Sequence, residues 1–352
     1  MDDALHTHSP SRTPEAYARA ADSAFARAAT RAGEITREYL VGPAVMRLRF
    51  AGPALVEPLT RALTPAVSGS RPDFTICCWD SRSTSTPMPS PYWPTTAYGP
   101  KGHIAGFNTP TLHTTYQPGV NTLHLFNRTS STGHYWMADA ARMPAWHRGF
   151  PLRDLIHWWS RDLPLQMMHG GAVGFADGGV LLAGKSGAGK STTALACLVS
   201  DLLFASDDYV LVDTAHRYVH GLYSTAKLEP ANLGRFPGLA GKISNADFFS
   251  TQKPLLYVRE HFPGKVSTGF PVRAIFLPRV TGEVTTRLRA ASAADSLTAV
   301  AGTTVAQLEG HSREAFAKIA AFVQQVPSFW LETGTDLPQI TRVIGDYLRS
   351  VR

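Results

Sequence analysis

Segments with helix-like and strand-like patterns of hydrophobic and polar positions alternate along the first part of the chain. Residues 14–31 repeat alanine at helical spacing behind a Pro-Glu pair that suits a first turn, which predicts an amphipathic helix. The segments 44–52 and 73–80 are rich in β-branched and aromatic residues and predict strands, with a short helix between them. Residues 121–130 and 131–138 predict the two strands of a β-hairpin.

The stretch between the second strand and the hairpin breaks this pattern. Residues 81–119 contain seven prolines among many serines, threonines and glycines, which is typical of long loops between short strands or of a linker. The aromatic residues in the same stretch argue against a disordered segment. We therefore expect residues 1–145 to form one α+β accessory domain, whose role the sequence does not disclose.

The remaining chain has longer apolar runs. Residues 151–163 have helical spacing, and so do residues 311–326 and 338–350, which flank a strand-like SFWLET at 328–333. Apolar segments typical of buried strands lie between the first and second of these helices. We expect an α/β catalytic domain over residues 146–352.

Composition narrows the class of protein. The 352 residues are 44% hydrophobic and 17% charged, as in a soluble enzyme that can hold two domains. Apolar runs fall short of the roughly 18 residues of a membrane span, and the first residues do not resemble a secretory signal. The three cysteines, two of them adjacent, provide neither a disulfide framework nor zinc spacing. We expect a cytoplasmic protein with no membrane partner.

The charge pattern indicates which kinds of partner the protein could bind. Net charge is +7, and 26 of the 34 basic residues are arginines. They are dispersed rather than clustered, so a nucleic-acid partner is not expected. Guanidinium groups suit phosphates and carboxylates, as a nucleotide or an acidic peptide would supply. A homo-oligomer is compatible with the sequence.

One short motif carries the clearest chemistry. Residues 184–191 read GKSGAGKS, a complete G-x-x-x-x-G-K-S loop between a strand-like and a helix-like segment. In such a loop the backbone N–H groups surround the β-phosphate, the lysine reaches the β- and γ-phosphate oxygens, and the serine hydroxyl binds Mg²⁺. ATP and Mg²⁺ are the cofactors we expect. The expected nucleotide-binding residues are Gly184, Lys185, Ser186, Gly187, Ala188, Gly189, Lys190, Ser191 and Thr192.

Two adjacent acids follow this loop closely. Asp207 begins only seventeen residues after Lys190 and is followed by Asp208. A helix leading about 15 Å away from the loop and a strand returning about 17 Å would bring both acids back beside it through a crossover connection. One carboxylate could hold Mg²⁺ and the other accept a proton from an incoming hydroxyl. The short spacing favours transfer to an external hydroxyl over regulated hydrolysis, which needs switch segments.

A histidine precedes the loop. The dipeptide Asp177-Gly178 stands between two apolar runs and predicts a two-residue hairpin turn. If these two residues form the turn, paired positions sum to 355, and His169 lies opposite Ser186 within the loop. We expect His169 to orient a carboxylate or to stabilise charge on the transferred group.

The segment from His169 to Asp208 resembles the catalytic core of HPr kinase/phosphorylase, a bacterial family that phosphorylates a serine of a phosphocarrier protein. That core also has a histidine 21 residues before its P-loop lysine and an Asp-Asp pair starting 17 residues after it. The resemblance implies an HPr kinase/phosphoenolpyruvate carboxykinase-like P-loop core. It also implies that Asp207 is the general base toward serine, that Asp208 assists with the metal and the lysine, and that His169 lies near the base.

Outside residues 169–208 the chain differs from HPr kinase/phosphorylase and resembles a related group of proteins. The family's metal-binding glutamate signature is replaced by YSTAKLEPANLGRFPGL at 223–239, where Glu229 is the candidate metal ligand beside Ser191 and Asp208. The segments HWW, SDDYVLV and PSFWLETG resemble HPr-kinase-related proteins of lasso-peptide biosynthetic clusters, which phosphorylate the C-terminal serine of a precursor peptide. This implies a precursor peptide or small protein as substrate.

Alternatives to a serine kinase remain open at this point. One is a small-molecule kinase or carboxykinase-like phosphotransferase, and another is a non-catalytic nucleotide-binding subunit. Retention of Lys190, Ser191 and both aspartates favours an enzyme. Weaker candidates for neutralising the phosphoryl group or holding an acidic peptide are Lys227, Arg235, Arg259 and Arg273.

Overall fold

The chain packs as two units in the computed structural model, which describes residues 13–67, 69–91, 93–246, 252–308 and 312–351. The first unit takes in the chain up to Arg37 together with residues 46–58 and 72–143, and the second takes in residues 38–45, 59–71 and 144–352. Two short segments from the expected accessory domain, 38–45 and 59–71, therefore group with the second unit.

A long helix packs on the sheet of the first unit. Helix α1 (Pro14–Ala32) begins after Thr13, whose side chain accepts a hydrogen bond from the backbone N–H of Ala16 at 3.2 Å. Its buried face, which includes Tyr17 and Phe25, packs in one apolar cluster with strand residues such as Trp79. The helix predicted over residues 14–31 is confirmed.

The described N-terminal region has strands at the four predicted segments, 44–52, 73–80, 121–130 and 131–138, and three further strands for which no segment was predicted. They are β1 (Glu34–Val41), β2 (Ala44–Ala51), β3 (Thr64–Pro65), β4 (Phe74–Asp80), β5 (Leu112–Gln117), β6 (Thr122–Asn127) and β7 (Thr132–Met137), with short helices α2 (Val56–Thr60) and α3 (Ser81–Thr84). In the first unit the strand order is β2-β4-β7-β6-β5, parallel from β2 to β7 and antiparallel beyond. The predicted hairpin is confirmed, because β6 pairs with β7 from Thr122↔Met137 onward.

The second unit contains the remaining elements. Its helices are α4 (Ala145–Gly149), α5 (Arg153–Ser160), α6 (Lys190–Leu198), α7 (Val258–His261), α8 (Ala293–Gln307), α9 (Ser312–Val323) and α10 (Leu337–Ser350). Its strands are β8 (Leu165–His169), β9 (Gly171–Phe175), β10 (Gly178–Leu182), β11 (Leu203–Ser206), β12 (Tyr209–Asp213), β13 (Tyr218–Gly221), β14 (Thr225–Lys227), β15 (Leu255–Tyr257), β16 (Gly269–Val280), β17 (Arg287–Ala290) and β18 (Ser328–Thr333).

Helices cover both faces of a mixed sheet in this unit. The strand order is β11-β9-β10-β16-β13-β12-β8, with β18 parallel to β16 and antiparallel to β17. Along β10, Val180 and Leu182 pack with α6 and α10, whereas Leu181 packs with α8 and α9. This alternation follows from the two-residue period of a strand, and burial on both faces explains the continuous apolar runs. The arrangement agrees with the expected α/β class.

The hairpin register around Asp177 was predicted incorrectly. Strands β9 and β10 pair antiparallel with Gly178 opposite Phe175, so paired positions sum to 353 and the turn is Ala176–Asp177. Gly178 lies in the strand, where a Cβ would meet the Arg273 side chain at 2.6 Å. His169 is not in this hairpin at all, because it ends β8 and pairs with Tyr209 of β12.

The glycine pair between β8 and β9 explains that error. A Cβ on Gly170 would lie 2.7 Å from the Leu182 carbonyl oxygen, and one on Gly171 would lie 2.9 Å from the Asp207 carbonyl oxygen. Only glycine permits such close approach, and the chain changes strand partner here. The apolar run that the sequence suggests is therefore two strands.

Within the described ranges, no helix is long and apolar enough to cross a membrane.

Candidate phosphate-binding and catalytic site

The glycine-rich loop connects β10 to α6, in the strand–loop–helix context that its sequence predicts. Gly184, Gly187 and Gly189 have φ values of 151°, 80° and 107°, which side-chain-bearing residues rarely adopt. Helix α6 begins directly after Gly189, so its first N–H groups lack helical partners and face the loop. The loop therefore has the backbone geometry of an anion-binding site.

Lys190 is the cation of this loop. Its side chain is buried, and its Nζ donates to the carbonyl oxygens of Gly184 at 2.7 Å and Lys185 at 3.2 Å. Burial lowers the pKa of Lys190, while the charges of Asp208 and Asp207 oppose that shift. The acid pair is thus within electrostatic reach of the loop lysine.

The two acids form the connection between β11 and β12. Strands β10 and β11 both pair antiparallel with β9, so they run parallel to each other with β9 between them. The ends of β10 and β11 that lead into the loop and into the acid pair therefore lie at the same edge of the sheet. The sequence-based expectation that the crossover returns the acids to the loop agrees with this topology.

Asp207 is fully enclosed. Its Oδ2 accepts a hydrogen bond from the backbone N–H of Lys227 at 2.9 Å, and its Oδ1 makes no well-formed hydrogen bond to any residue that the structure describes. Burial, followed by the charge of Asp208, raises the pKa of Asp207 to about 7, although the Lys227 N–H and the nearby Ser191 hydroxyl partly lower it. This carboxyl can hold a proton near neutral pH.

Asp208 has the opposite environment and lines the cavity above the loop. Its Oδ2 accepts from Lys227 Nζ at 2.9 Å, and its Oδ1 lies 3.7 Å from His169 Nε2. Burial favours a higher pKa, but contact with His169 and the ion pair with Lys227 hold the pKa of Asp208 well below its usual range. The cavity-facing acid is therefore ionised, whereas the acid expected to be the base is enclosed.

His169 joins the site through a strand pairing that the sequence did not reveal. Its backbone N–H donates to Thr304 Oγ1 at 3.0 Å, and its ring packs edge-on against Tyr209. The ring contacts Asp208 rather than Asp207. His169 lies near the acids as expected, but in register with β12 and not with the loop.

Lys227, which the sequence offers only as a weaker candidate, contacts both acids of the site. Its backbone contacts Asp207, its ammonium contacts Asp208, and the ammonium also lies 4.1 Å from the centre of the Phe150 ring. The sequence signal was only its position two residues before Glu229.

The other basic candidates separate into two groups. Arg235 lines the cavity and donates to the Thr335 carbonyl oxygen at 3.3 Å. Arg259 donates to the Leu63 carbonyl oxygen at 2.8 Å, and Arg273 donates to the Asp177 carbonyl oxygen at 2.9 Å. The last two therefore serve backbone positions away from the acid pair.

The residues present suit Mg²⁺ only in company with a phosphate ligand. No group of three or more His, Cys, Asp or Glu side chains within the described segments could hold a metal by itself. Mg²⁺ is usually held by one or two protein oxygens and substrate phosphates, and Ser191 beside the acid pair offers such oxygens. Glu229 lines the same cavity but forms an ion pair with Lys253.

The cavity has a volume of about 580 Å³, and two groups of its lining residues are held by different contacts. The first group lies at the loop, where a Cβ on Gly189 would lie 3.3 Å from Val280 and 3.8 Å from Thr333. In the second group, Tyr209 packs edge-on against Phe150 and its hydroxyl donates to Gln307. We call this second group, which also includes Arg153, the Tyr209 group.

The Tyr209 group was missed by sequence reasoning because it has no motif. Arg153 donates to the Tyr209 hydroxyl oxygen at 3.1 Å and is paired with Asp154 at 3.0 Å. Burial opposes the charge of Arg153, but Asp154 raises its pKa above the usual value. Tyr209, directly after the acids, was the one residue that position alone could have flagged.

Comparison with models of known protein families gave no match to this chain, and comparison with curated proteins gave none either. The function therefore has to be inferred from the residues and geometry of the site itself.

Proposed function

We propose that this protein is an ATP- and Mg²⁺-dependent kinase that transfers the γ-phosphoryl group to a serine hydroxyl of a peptide or small protein. One observation carries the proposal: Asp208 lines the same cavity as the loop residues Lys190 and Ser191. Transfer to an external hydroxyl needs a carboxylate beside the γ-phosphate, whereas binding alone does not.

The chain's own residues divide the work as follows. The loop N–H groups and the start of α6 bind the β-phosphate, and Lys190 contacts the β- and γ-phosphate oxygens. Ser191 would hold Mg²⁺, which would supply charge neutralisation at the phosphates, and Asp207 orients the Ser191 hydroxyl. The roles of the loop, Lys190 and Ser191 are those that the resemblance to an HPr kinase/phosphoenolpyruvate carboxykinase-like core implies.

The transfer step uses Asp208. The serine oxygen attacks the γ-phosphorus, its proton passes to the Asp208 carboxylate, and the bond from the γ-phosphorus to the bridging oxygen breaks to release ADP. Asp208 Oδ1 is the oxygen assigned to this task because Lys227 Nζ donates to Oδ2, and His169 Nε2, 3.7 Å from Oδ1, orients the carboxylate. The low pKa of Asp208 is acceptable, since a loose transition state depends more on positioning than on base strength. This assignment exchanges the roles that the resemblance implies for the two acids.

The direct test offers the protein a mixture of peptides that could accept the phosphoryl group. The protein is incubated with ATP, Mg²⁺ and serine-containing peptides, including precursors that end in serine, and products are measured by mass spectrometry. We expect a mass gain of one phosphoryl group on serine. Consumption of ATP with every peptide unmodified would contradict a peptide kinase.

A small-molecule kinase or carboxykinase-like phosphotransferase is the second candidate. The cavity of about 580 Å³ is in the range of sites that enclose a nucleotide and a small acceptor. This candidate predicts labelled phosphate on a metabolite in a cell extract, with unlabelled peptides. The same ATP label therefore separates the two candidates.

A further inference from the structure

We propose that Lys227 is a second catalytic lysine, whose ammonium group holds Asp208 in the nucleotide-free protein and contacts the γ-phosphoryl group when ATP is bound. The inference rests on the proposed phosphoryl transfer and adds a residue to it. Neither the phosphate-loop motif nor the acid pair identifies this residue.

The position of Lys227 is fixed by its backbone. It ends β14 and pairs with Leu255 of β15, and its N–H donates to Asp207 Oδ2 at 2.9 Å. These contacts do not involve the side chain. The ammonium group can therefore change partner while the strand and the enclosed acid stay in place.

The Lys227 side chain extends into the cavity beside Asp208. It is 19% exposed, lines the cavity that Lys190 and Ser191 also line, and ends 2.9 Å from Asp208 Oδ2. An ammonium group has three N–H donors, and the carboxylate takes one of them while the Phe150 ring lies 4.1 Å away. A donor remains for a phosphate oxygen next to the carboxylate.

The charges make such a cation necessary. A γ-phosphoryl group beside the Asp208 carboxyl group brings oxygens of like partial charge together, and charge spreads over the equatorial oxygens during transfer. The charged or titratable groups that act on Asp208 are Lys227 on β14, His169 on β8, Tyr209 on β12, Lys190 on α6 and the adjacent Asp207. Lys190 is assigned above to the β- and γ-phosphate oxygens from the loop, whereas Lys227 already contacts the acid at 2.9 Å. Lys227 is therefore the cation that can lie between the acid and the phosphoryl group.

The test compares two nucleotides that differ at the γ-position. Binding of ADP and of AMP-PNP, each with Mg²⁺, is measured by calorimetry for the wild type, Lys227→Met and Lys227→Arg. We expect Lys227→Met to weaken AMP-PNP by about tenfold or more and ADP by less than about twofold, because only the γ-phosphate loses a partner. Lys227→Arg should recover part of the AMP-PNP affinity, since it keeps the charge.

The control is Lys242→Met, a half-buried lysine that does not line the cavity and whose Nζ donates to the Gly238 carbonyl oxygen at 3.0 Å. It should bind both nucleotides like the wild type. Equal losses for ADP and AMP-PNP in Lys227→Met, or no loss, would overturn the inference and leave Lys227 as a structural partner of Asp208. The binding ratio does not depend on the acceptor, so failure to phosphorylate any peptide would count against the proposed function and not against this contact.

Discussion

Two neighbouring carboxyl groups differ because of what surrounds them. Asp207 is enclosed and has a pKa raised to about 7 by burial and by Asp208, whereas contacts with His169 and Lys227 keep Asp208 ionised against its own burial. Environments that push two pKa values apart commonly mark different roles in one reaction. The sequence predicts that both acids matter, but it cannot tell which one faces the cavity, since that depends on Lys227 and His169 from distant strands.

Replacing Asp208 should stop phosphoryl transfer. We expect Asp208→Asn to lower the single-turnover rate by ~10²–10⁴, with nucleotide affinity changed little or improved because repulsion of the phosphates is removed. Asp207→Asn should have a smaller effect on rate. Asp346→Asn, at an exposed acid paired with Arg349, is the matched control. Loss of turnover in Asp207→Asn with retention in Asp208→Asn would reverse the assignment of the base.

Replacing Asp207 should change how stability depends on pH. Between the ordinary value of 3.8 and about 7, the folded state binds more protons at Asp207 than the unfolded state does, so this group destabilises the fold as pH rises through that window. Asp207→Asn removes the effect and keeps an oxygen for the Lys227 N–H. We expect the variant to gain stability over the wild type on going from about pH 5 to about pH 8, on the order of a few kcal/mol at most.

Chemical denaturation at the two pH values gives that measurement. Asp208 does not interfere, because its lowered pKa affects stability only where the unfolded carboxyl becomes protonated, below the range used. A difference between variant and wild type that is constant with pH would show that Asp207 has an ordinary pKa.

At the scale of elements, the local sequence pattern predicts individual helices and strands, but it does not predict which distant strands pair or in which register. The helix α1, the hairpin β6–β7 and the strand–loop–helix around the phosphate loop follow from short segments with clear periodicity and turn residues. The register of β9 with β10 did not, because Asp177-Gly178 is a good turn sequence but Gly178 is needed within the strand. The pairing of β8 with β12, which brings His169 to Asp208, joins segments about forty residues apart and has no local signal.

The glycine at the start of β9 should be sensitive to substitution. A Cβ on Gly171 would lie 2.9 Å from the Asp207 carbonyl oxygen and 3.1 Å from that of Ser206. We expect Gly171→Ala to destabilise the protein by about 1–3 kcal/mol and to slow turnover, because the backbone carrying the acid pair must move. Thermal unfolding is the measurement. Gly238→Ala, where a Cβ would meet nothing within 4 Å, is the control, and equal melting temperatures for the two variants would contradict the close approach.

At the scale of the whole molecule, the described cavity is lined by residues of the second unit. That unit includes residues 59–71, which the sequence assigned to the accessory domain. The reason is contacts made within the unit: Ser224 donates its N–H to the Ala62 carbonyl oxygen at 2.8 Å, and Arg61 donates to Glu260 at 2.7 Å. Such partners are 162 and 199 positions apart in the chain, so no local pattern predicts them.

The resting position of Lys190 has a consequence for every ligand of the loop. Its ammonium group donates to the carbonyl oxygens of Gly184 and Lys185. These two carbonyl oxygens therefore accept the hydrogen bonds that the oxygens of a bound anion would otherwise accept. If the loop binds a nucleotide as proposed, the phosphate has to displace these carbonyl contacts, so the affinity would report the difference between phosphate and carbonyl as acceptors. Simple anions, which offer fewer contacts than a triphosphate, gain much less from this exchange.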